Sequence, residues 1–478
     1  MADRFRGTDE LVATLADATF EQPPAVVANA HVTGVSVARA LSALDVPVIA
    51  VDRNGDGVAP SSTAVDYAGE VRYPLDDPDG FETDLARVVD AVGTDVVAFG
   101  CMDEWVRAFA AADVEGLRLP FDPDAADRVL DKATLYRLAD EHGVPYPETR
   151  DLTETDADAA IEAVGGFPLV IKPARKRKFE EAFGTNVVEA SDRAEFDETV
   201  AAARDADARV LVQEKVPVET GRDTSLASYV PPSDGASYAG VGRRGDDDPL
   251  TRHDALGVVG NAAVRFPQGF GTSCLVETVD RPAIAERALT ILDETGYHGI
   301  SEAEFVYDAD RETYVLLDVN TRPWKWVSAP VEAGANLPAA AYCDAVPESG
   351  ATLSDTDGDG RAVAADGDTN PPSGDDTNPP SGDDTNPPSG DDTNPSSGDG
   401  TLVVDDARWV FLPDYLELCA TTPGFRDVLS RAEWTALLSG AFETERGLTT
   451  GVYRPSDPEP AVTALERAFG VGEYYCAC

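Results

Sequence analysis

Short unbroken apolar runs alternate with amphipathic stretches over the first 120 or so residues. The run at 24–30 (Pro-Ala-Val-Val-Ala-Asn-Ala) predicts a buried strand, followed by a turn near Thr33-Gly34 and an amphipathic helix over 35–44. A second run at 46–51 predicts the next strand, with Asp52 at its end. A third at 95–100 precedes a helix over 103–112. Strands that are apolar at every position are those covered on both faces. Alternating with helices, they predict a doubly wound parallel sheet over about 1–120.

Further on, an amphipathic helix over 131–142 ends at Gly143-Val144-Pro145, and a strand over 167–173 carries Lys172 just before Pro173. The strand at 210–214 is halted by Pro217, and strands at 302–306 and 314–319 flank the turn Asp308-Ala309-Asp310. An eight-residue unit, Thr-Asn-Pro-Pro-Ser-Gly-Asp-Asp, starts at Thr369, recurs at Thr377 and Thr385, and decays at Thr393. It has no large apolar position, so it predicts a disordered insert rather than a solenoid. Folded sequence resumes near Thr401, marked by Trp409, Phe411 and Trp434. The expected units are 1–125, 126–348, the insert 349–400 and a C-terminal segment 401–478. The class is α/β, with α+β character in the central part.

Charge changes the list of partners. The 478 residues hold 88 Asp+Glu against 38 Lys+Arg, a net charge of −50. Nucleic-acid binders need clustered cations, and the one dense basic run, 175–178, lies in a strongly acidic chain. Hydrophobic residues make up 42%, enough for buried cores, yet no run approaches the roughly 20 apolar residues of a membrane span. The polar N-terminus does not read as a secretion signal, so the expectation is a cytoplasmic protein without membrane or nucleic-acid partners. Dispersed acidity with few lysines resembles the proteins of salt-in halophiles. At molar salt the Debye length is about 3 Å, which screens such a charge. The six lysines (Lys132, Lys172, Lys176, Lys178, Lys215, Lys325) all fall between 132 and 325, so each is a candidate for a place that needs an ammonium group. The six cysteines and four histidines show no metal spacing, and the cysteines are expected to be buried thiols.

Three features carry candidate chemistry. Lys132 and Lys172 sit on separate elements where ammonium groups could neutralise a polyphosphate. Gln213-Glu214-Lys215-Val216-Pro217 is a strand running into a hinge, whose backbone could read an adenine edge. Glu304, Asp318 and Asn320 supply hard oxygen ligands on two neighbouring strands; Asp318 and Asn320, two apart, share a face. Such ligands suit Mg²⁺ bridging phosphates.

In this order the motifs resemble the ATP-grasp superfamily. The resemblance rests on Asp131-Lys132-Ala133-Thr134, Val144-Pro145-Tyr146-Pro147-Glu148-Thr149, Val170-Ile171-Lys172-Pro173, Gln213-Glu214-Lys215-Val216, Glu304-Phe305 and Leu317-Asp318-Val319-Asn320-Thr321-Arg322-Pro323-Trp324. It covers roughly residues 20–345 and is strongest to carboxylate–amine ligase-like proteins with a preceding Rossmann-like domain. It implies that 126–348 is an ATP-grasp domain and 1–125 the domain before it. It also implies that Lys132 and Lys172 contact nucleotide phosphates, that the backbone of Glu214, Lys215 and Val216 holds adenine, and that Asp223 meets ribose. Glu304, Asp318 and Asn320 would hold Mg²⁺, with Mn²⁺ as a substitute, and Arg322 would meet the phosphoryl group or acyl-phosphate. Asp318 stands where the family usually has Glu, and Arg243-Arg244 where it often has Arg-Lys. The run 175–185 would close over the phosphates.

The implied activity is an ATP- and Mg²⁺-dependent ligase that joins a small-molecule carboxylate to an amine through an acyl-phosphate, with Arg322 and Lys172 as catalytic residues. Its rival is a non-catalytic ATP-binding module of the same fold. An NAD-dependent oxidoreductase is disfavoured, because the Gly34 turn lacks a full G-x-G-x-x-G. Carboxylation is also disfavoured, since no biotin-attachment motif occurs. A homodimer is left open.

Overall fold

The computed structural model describes residues 4–174, 179, 182–185, 187–233, 248–268, 271–347, 402, 406–444 and 447–469. The repeat insert, Lys176, Lys178, Arg243-Arg244, Cys476, Cys478 and most of the run expected to close over phosphates lie outside them.

The first unit is a six-stranded sheet of β1 (Phe5–Arg6), β2 (Ala25–Ala28), β3 (Val48–Asp52), β4 (Tyr67–Glu70), β5 (Val96–Gly100) and β6 (Leu117–Arg118). Their order is β1-β4-β3-β2-β5-β6, every pair parallel, as the apolar runs predicted. Alternate residues of β2 feed two cores: Ala25 and Val27 on one side, Val26 and Ala28 on the other. The following helix is Val32–Leu41, three residues earlier than predicted. Gly34 falls in its first turn rather than in a loop, and a Cβ there would lie 2.4 Å from the Asn29 carbonyl oxygen. That glycine serves close packing of helix on strand, not a turn.

A second, antiparallel sheet comprises β7 (Thr149–Asp151), β8 (Leu169–Pro173), β9 (Val188–Ala190) and β10 (Val210–Glu214), ordered β7-β10-β8-β9. It rests on the helix Lys132–Glu141 through Tyr136, Ala174 and Leu211.

The third sheet has seven strands: β11 (Asp223–Val230), β12 (Leu256–Phe266), β13 (Thr272–Thr278), β14 (Gly299–Asp308), β15 (Thr313–Asn320), β16 (Arg408–Val410) and β17 (Leu448–Thr450). Their order is β15-β14-β11-β12-β13-β16-β17, so strands from after the repeat extend a sheet begun before it. One face of β11, β14 and β15 buries Leu226, Ala303 and Val319 against the helix Pro282–Thr295. The other carries the polar residues described next. Among the described residues no helix is long and apolar enough to cross a membrane. Cys101, Cys274, Cys343 and Cys419 are buried thiols outside any disulfide, as expected.

Candidate active site

The site begins with register. Glu304 pairs with Asp318 and Glu302 with Asn320 across β14 and β15, so four oxygen-bearing side chains share one face. A register shift follows at once, because Phe305 pairs with Leu316 and leaves Leu317 as an extra residue. Such bulges re-aim neighbouring side chains. This one is clamped, since the Tyr136 hydroxyl donates to the Leu317 carbonyl at 2.8 Å. The same helix delivers Lys132 at its first position, where Asp131 caps it by accepting from the Ala133 and Thr134 amides. Lys132 is buried and its ammonium donates to Asp318.

Asn320 donates from Nδ2 to Glu304 Oε1 at 2.8 Å and to Glu302 Oε2 at 3.2 Å. Glu302 is buried, and its other oxygen accepts from the Trp326 indole at 2.9 Å. Burial first, then the neighbouring Glu304, push Glu302 up to about 8, opposed by Arg322, Arg265 and the Trp326 bond. A divalent cation beside Glu304 would act in the opposite direction.

Arg322 follows β15 and turns to the first unit, donating from Nε to Asp103 Oδ1 at 2.5 Å. Asp103 opens the helix Asp103–Ala111, directly after β5. Burial works against the Arg322 charge, while Asp103, Glu302 and Glu104 more than offset it. Asp223, at the start of β11, pairs with Arg265 at 2.6 Å. Burial nevertheless raises the Asp223 carboxyl above its ordinary value, with a further upward push from Glu304.

The hinge residues are held separately. Glu214 accepts from the Glu148 amide at 2.7 Å and from Arg311 at 2.5 Å, and Lys215 donates to Glu189 at 2.6 Å. The Glu214 N–H bonds to Glu148, and the Val216 carbonyl accepts from Val218. Lys172 lies half-buried on β8, opposite Leu211. Of the predicted residues, the structure thus joins Lys132 to Asp318 and Asn320 to Glu304, and sets Glu304 opposite Asp318. Glu214 bonds instead to Glu148 and to Arg311, in the turn between β14 and β15, and Lys215 to Glu189 on β9. Lys325, singled out only as a scarce lysine, is buried in an ion pair with Asp414 at 2.8 Å.

Sequence reading missed Glu302, Asp103, Arg265 and Trp326. The signal for Glu302 was present in Ser301-Glu302-Ala303-Glu304, where period-two spacing puts both acids on one face.

No group of three or more His, Cys, Asp and Glu side chains among the described residues is arranged to hold a metal by itself. The candidate set is two carboxylates, Glu304 and Asp318, and one amide, Asn320. It fits Mg²⁺, which takes one or two carboxylates, keeps waters and completes its shell with phosphate oxygens.

No family model matches the chain, and no curated protein matches its sequence. Solved structures do. N5-carboxyaminoimidazole synthetase from Staphylococcus aureus, complexed with ADP, is 13% identical, covers 69% of this chain and 78% of its own, and superposes with a TM-score of 0.51. A biotin carboxylase–β-γ-ATP complex from Campylobacter jejuni is 12% identical over 68% of this chain and 71% of its own, with a TM-score of 0.52. The biotin carboxylase domain dimer of Hydrogenobacter thermophilus 2-oxoglutarate carboxylase, with MgADP and bicarbonate, is 12% identical over 69% and 71%, also at 0.52. With three sheets in this arrangement and these neighbours, the chain has the ATP-grasp fold.

Proposed function

We propose that the chain is an ATP- and Mg²⁺-dependent ligase that activates a small-molecule carboxylate as an acyl-phosphate and passes it to an amine. The observation that carries this reading is the convergence of Lys132, Glu304, Asp318 and Asn320, from three separate stretches, on one face of β14 and β15. ADP and MgADP in neighbouring structures lend support through the shared fold.

In this reading Glu304, Asp318 and Asn320 hold Mg²⁺ or Mn²⁺, which neutralises phosphate charge. Lys132 and Lys172 bring ammonium groups to the phosphates, where preorganised charge stabilises a transferring phosphoryl group. Adenine sits at the hinge. Pro217 has no N–H and Val218 already donates to Val216, so the Val216 N–H and Lys215 carbonyl are the natural edge-readers. Asp223, two residues before Ser225, which lies opposite Glu304, would meet ribose in this reading. Arg322 meets the acyl-phosphate oxygens, held ready by Asp103. The carboxylate substrate would then lie between β15 and the end of β5. Asp103→Ala is expected to raise the KM for that carboxylate about 10-fold, or about 1.4 kcal/mol. An unchanged KM would place the carboxylate elsewhere.

The test is ADP release at molar KCl with Mg²⁺, with pooled carboxylates and pooled amines and with Asp318→Ala as control. Release that needs both pools and is lost in the variant supports the ligase. Nucleotide binding without release under any pool favours the binding module, and no nucleotide binding overturns both.

A further inference from the structure

We propose that Glu302 is a positioning residue that fixes the orientation of the Asn320 side-chain amide, so that its carbonyl oxygen rather than its NH₂ is offered to a divalent cation. This rests on the nucleotide–cation reading of the face formed by Glu304, Asp318 and Asn320.

An amide has an oxygen and a nitrogen of nearly equal size, and a half-turn about one bond exchanges them. Only the oxygen can bind a cation. In the structure Asn320 Nδ2 lies between two carboxyl groups, 2.8 Å from Glu304 Oε1 and 3.2 Å from Glu302 Oε2. When a cation takes up the Glu304 oxygens, the Glu304 contact no longer selects the amide orientation, and Glu302 remains to do so. Glu302 is itself fixed: its Oε1 accepts from Trp326 Nε1 at 2.9 Å. The Trp326 ring lies against Gly260, where a Cβ would come within 2.7 Å of it. The chain of contacts is therefore Gly260, Trp326, Glu302, Asn320, and it ends on a candidate ligand.

Two N–H donors thus face the two Glu302 oxygens. A glutamine of the same shape has one oxygen and one NH₂, so it can satisfy Asn320 or Trp326 but not both. That asymmetry supplies the test. ADP binding is measured by calorimetry at molar KCl across a Mg²⁺ series, with thermal midpoints recorded for each variant. Glu302→Gln is expected to raise the Mg²⁺ concentration for half-maximal ADP binding by at least 10-fold. Trp326→Phe, which removes the competing N–H, should have a smaller effect. The double variant should recover most of the loss, because the glutamine oxygen is then committed to Asn320. Packing damage alone would make the double variant worse than either single one.

An unchanged Mg²⁺ requirement in Glu302→Gln overturns the inference, as does a double variant with no recovery, and either leaves the parent's Mg²⁺-dependent ADP binding, and with it the nucleotide reading, intact. A parent chain that binds no ADP at any Mg²⁺ concentration overturns both.

Discussion

Replacing Glu304 with glutamine is expected to lower carboxylate- and amine-dependent ADP release about 10³-fold, or roughly 4 kcal/mol of transition-state stabilisation. Glu304 is one of two carboxylates in the candidate cation set, and Gln keeps its shape while removing its charge. Its effect on stability should run the other way. Glu304 is half-buried beside the buried Glu302, which it pushes upward, and no cation is paired with Glu304 among the described residues. Removing the charge relieves a like-charge repulsion, and the glutamine carbonyl oxygen can still accept from Asn320 Nδ2. Thermal midpoints at fixed KCl should therefore be equal to or above the parent's while turnover collapses. That opposition is the mark of a group retained for chemistry at the expense of stability. A variant with near-parental turnover would remove Glu304 from the cation set. One that loses turnover and stability together would assign it a structural role.

Much of this face was legible from sequence, and the limit has a physical reason. The two lysines, the acid on one strand and Asp-x-Asn on the next are local patterns, and period two puts each set on one face. Which residues would meet depended on register. Lys132 and Asp318 are 186 positions apart, and their contact is set by the docking of the helix Lys132–Glu141 on β15. Pairing of Glu302 with Asn320 depends on where the Leu317 bulge falls, which no periodicity reports. Arg322 stands out in the sequence as a candidate, but its partner Asp103 comes from another unit, 219 positions away.

The fold shows the same division. The first sheet was readable through β2, β3 and β5, which are buried and apolar up to Asp52 at the end of β3, whereas the short or partly exposed β1, β4 and β6 left no such run. Strands β11, β12 and β13 were not readable, and β11 shows why: it buries Thr224, Ser225 and Ser228, residues that read as loop. They are tolerated inside because they find partners. Thr224 donates to the Gly260 carbonyl at 2.9 Å, and Ser228 and Ser301 share a hydrogen bond at 3.0 Å. A sequence pattern counts polarity, whereas burial depends on whether a polar atom can be satisfied.

The acidic C-terminal segment leads to the second large expectation. Asp457→Ala should lower the unfolding free energy by about 3 kcal/mol, in the range for breaking a buried ion pair. Asp457 is buried and accepts from Arg39 Nε at 3.0 Å and Nη2 at 2.8 Å, from the Ser62 hydroxyl at 2.5 Å and from the Thr63 amide at 2.9 Å. Its removal leaves Arg39, also largely buried, without its carboxylate. Arg39 and Ser62 belong to the first unit, so one carboxylate joins chain segments some 400 positions apart. Although burial is the largest influence and acts upward, the bonds from Ser62, Thr63 and Arg39 hold Asp457 below its ordinary 3.8. A lowered folded value means that the stabilisation is complete above the unfolded value and is lost as pH falls through the folded one. The parent's advantage over Asp457→Ala, read from urea midpoints at constant KCl, should therefore be full at neutral pH and shrink on acidification below about 4. A constant difference down to pH 2 would show that packing, not charge, carries the contact. Replacing both Arg39 and Asp457 with apolar residues of similar size should cost less than Asp457→Ala alone, because no charge is then left buried without its partner.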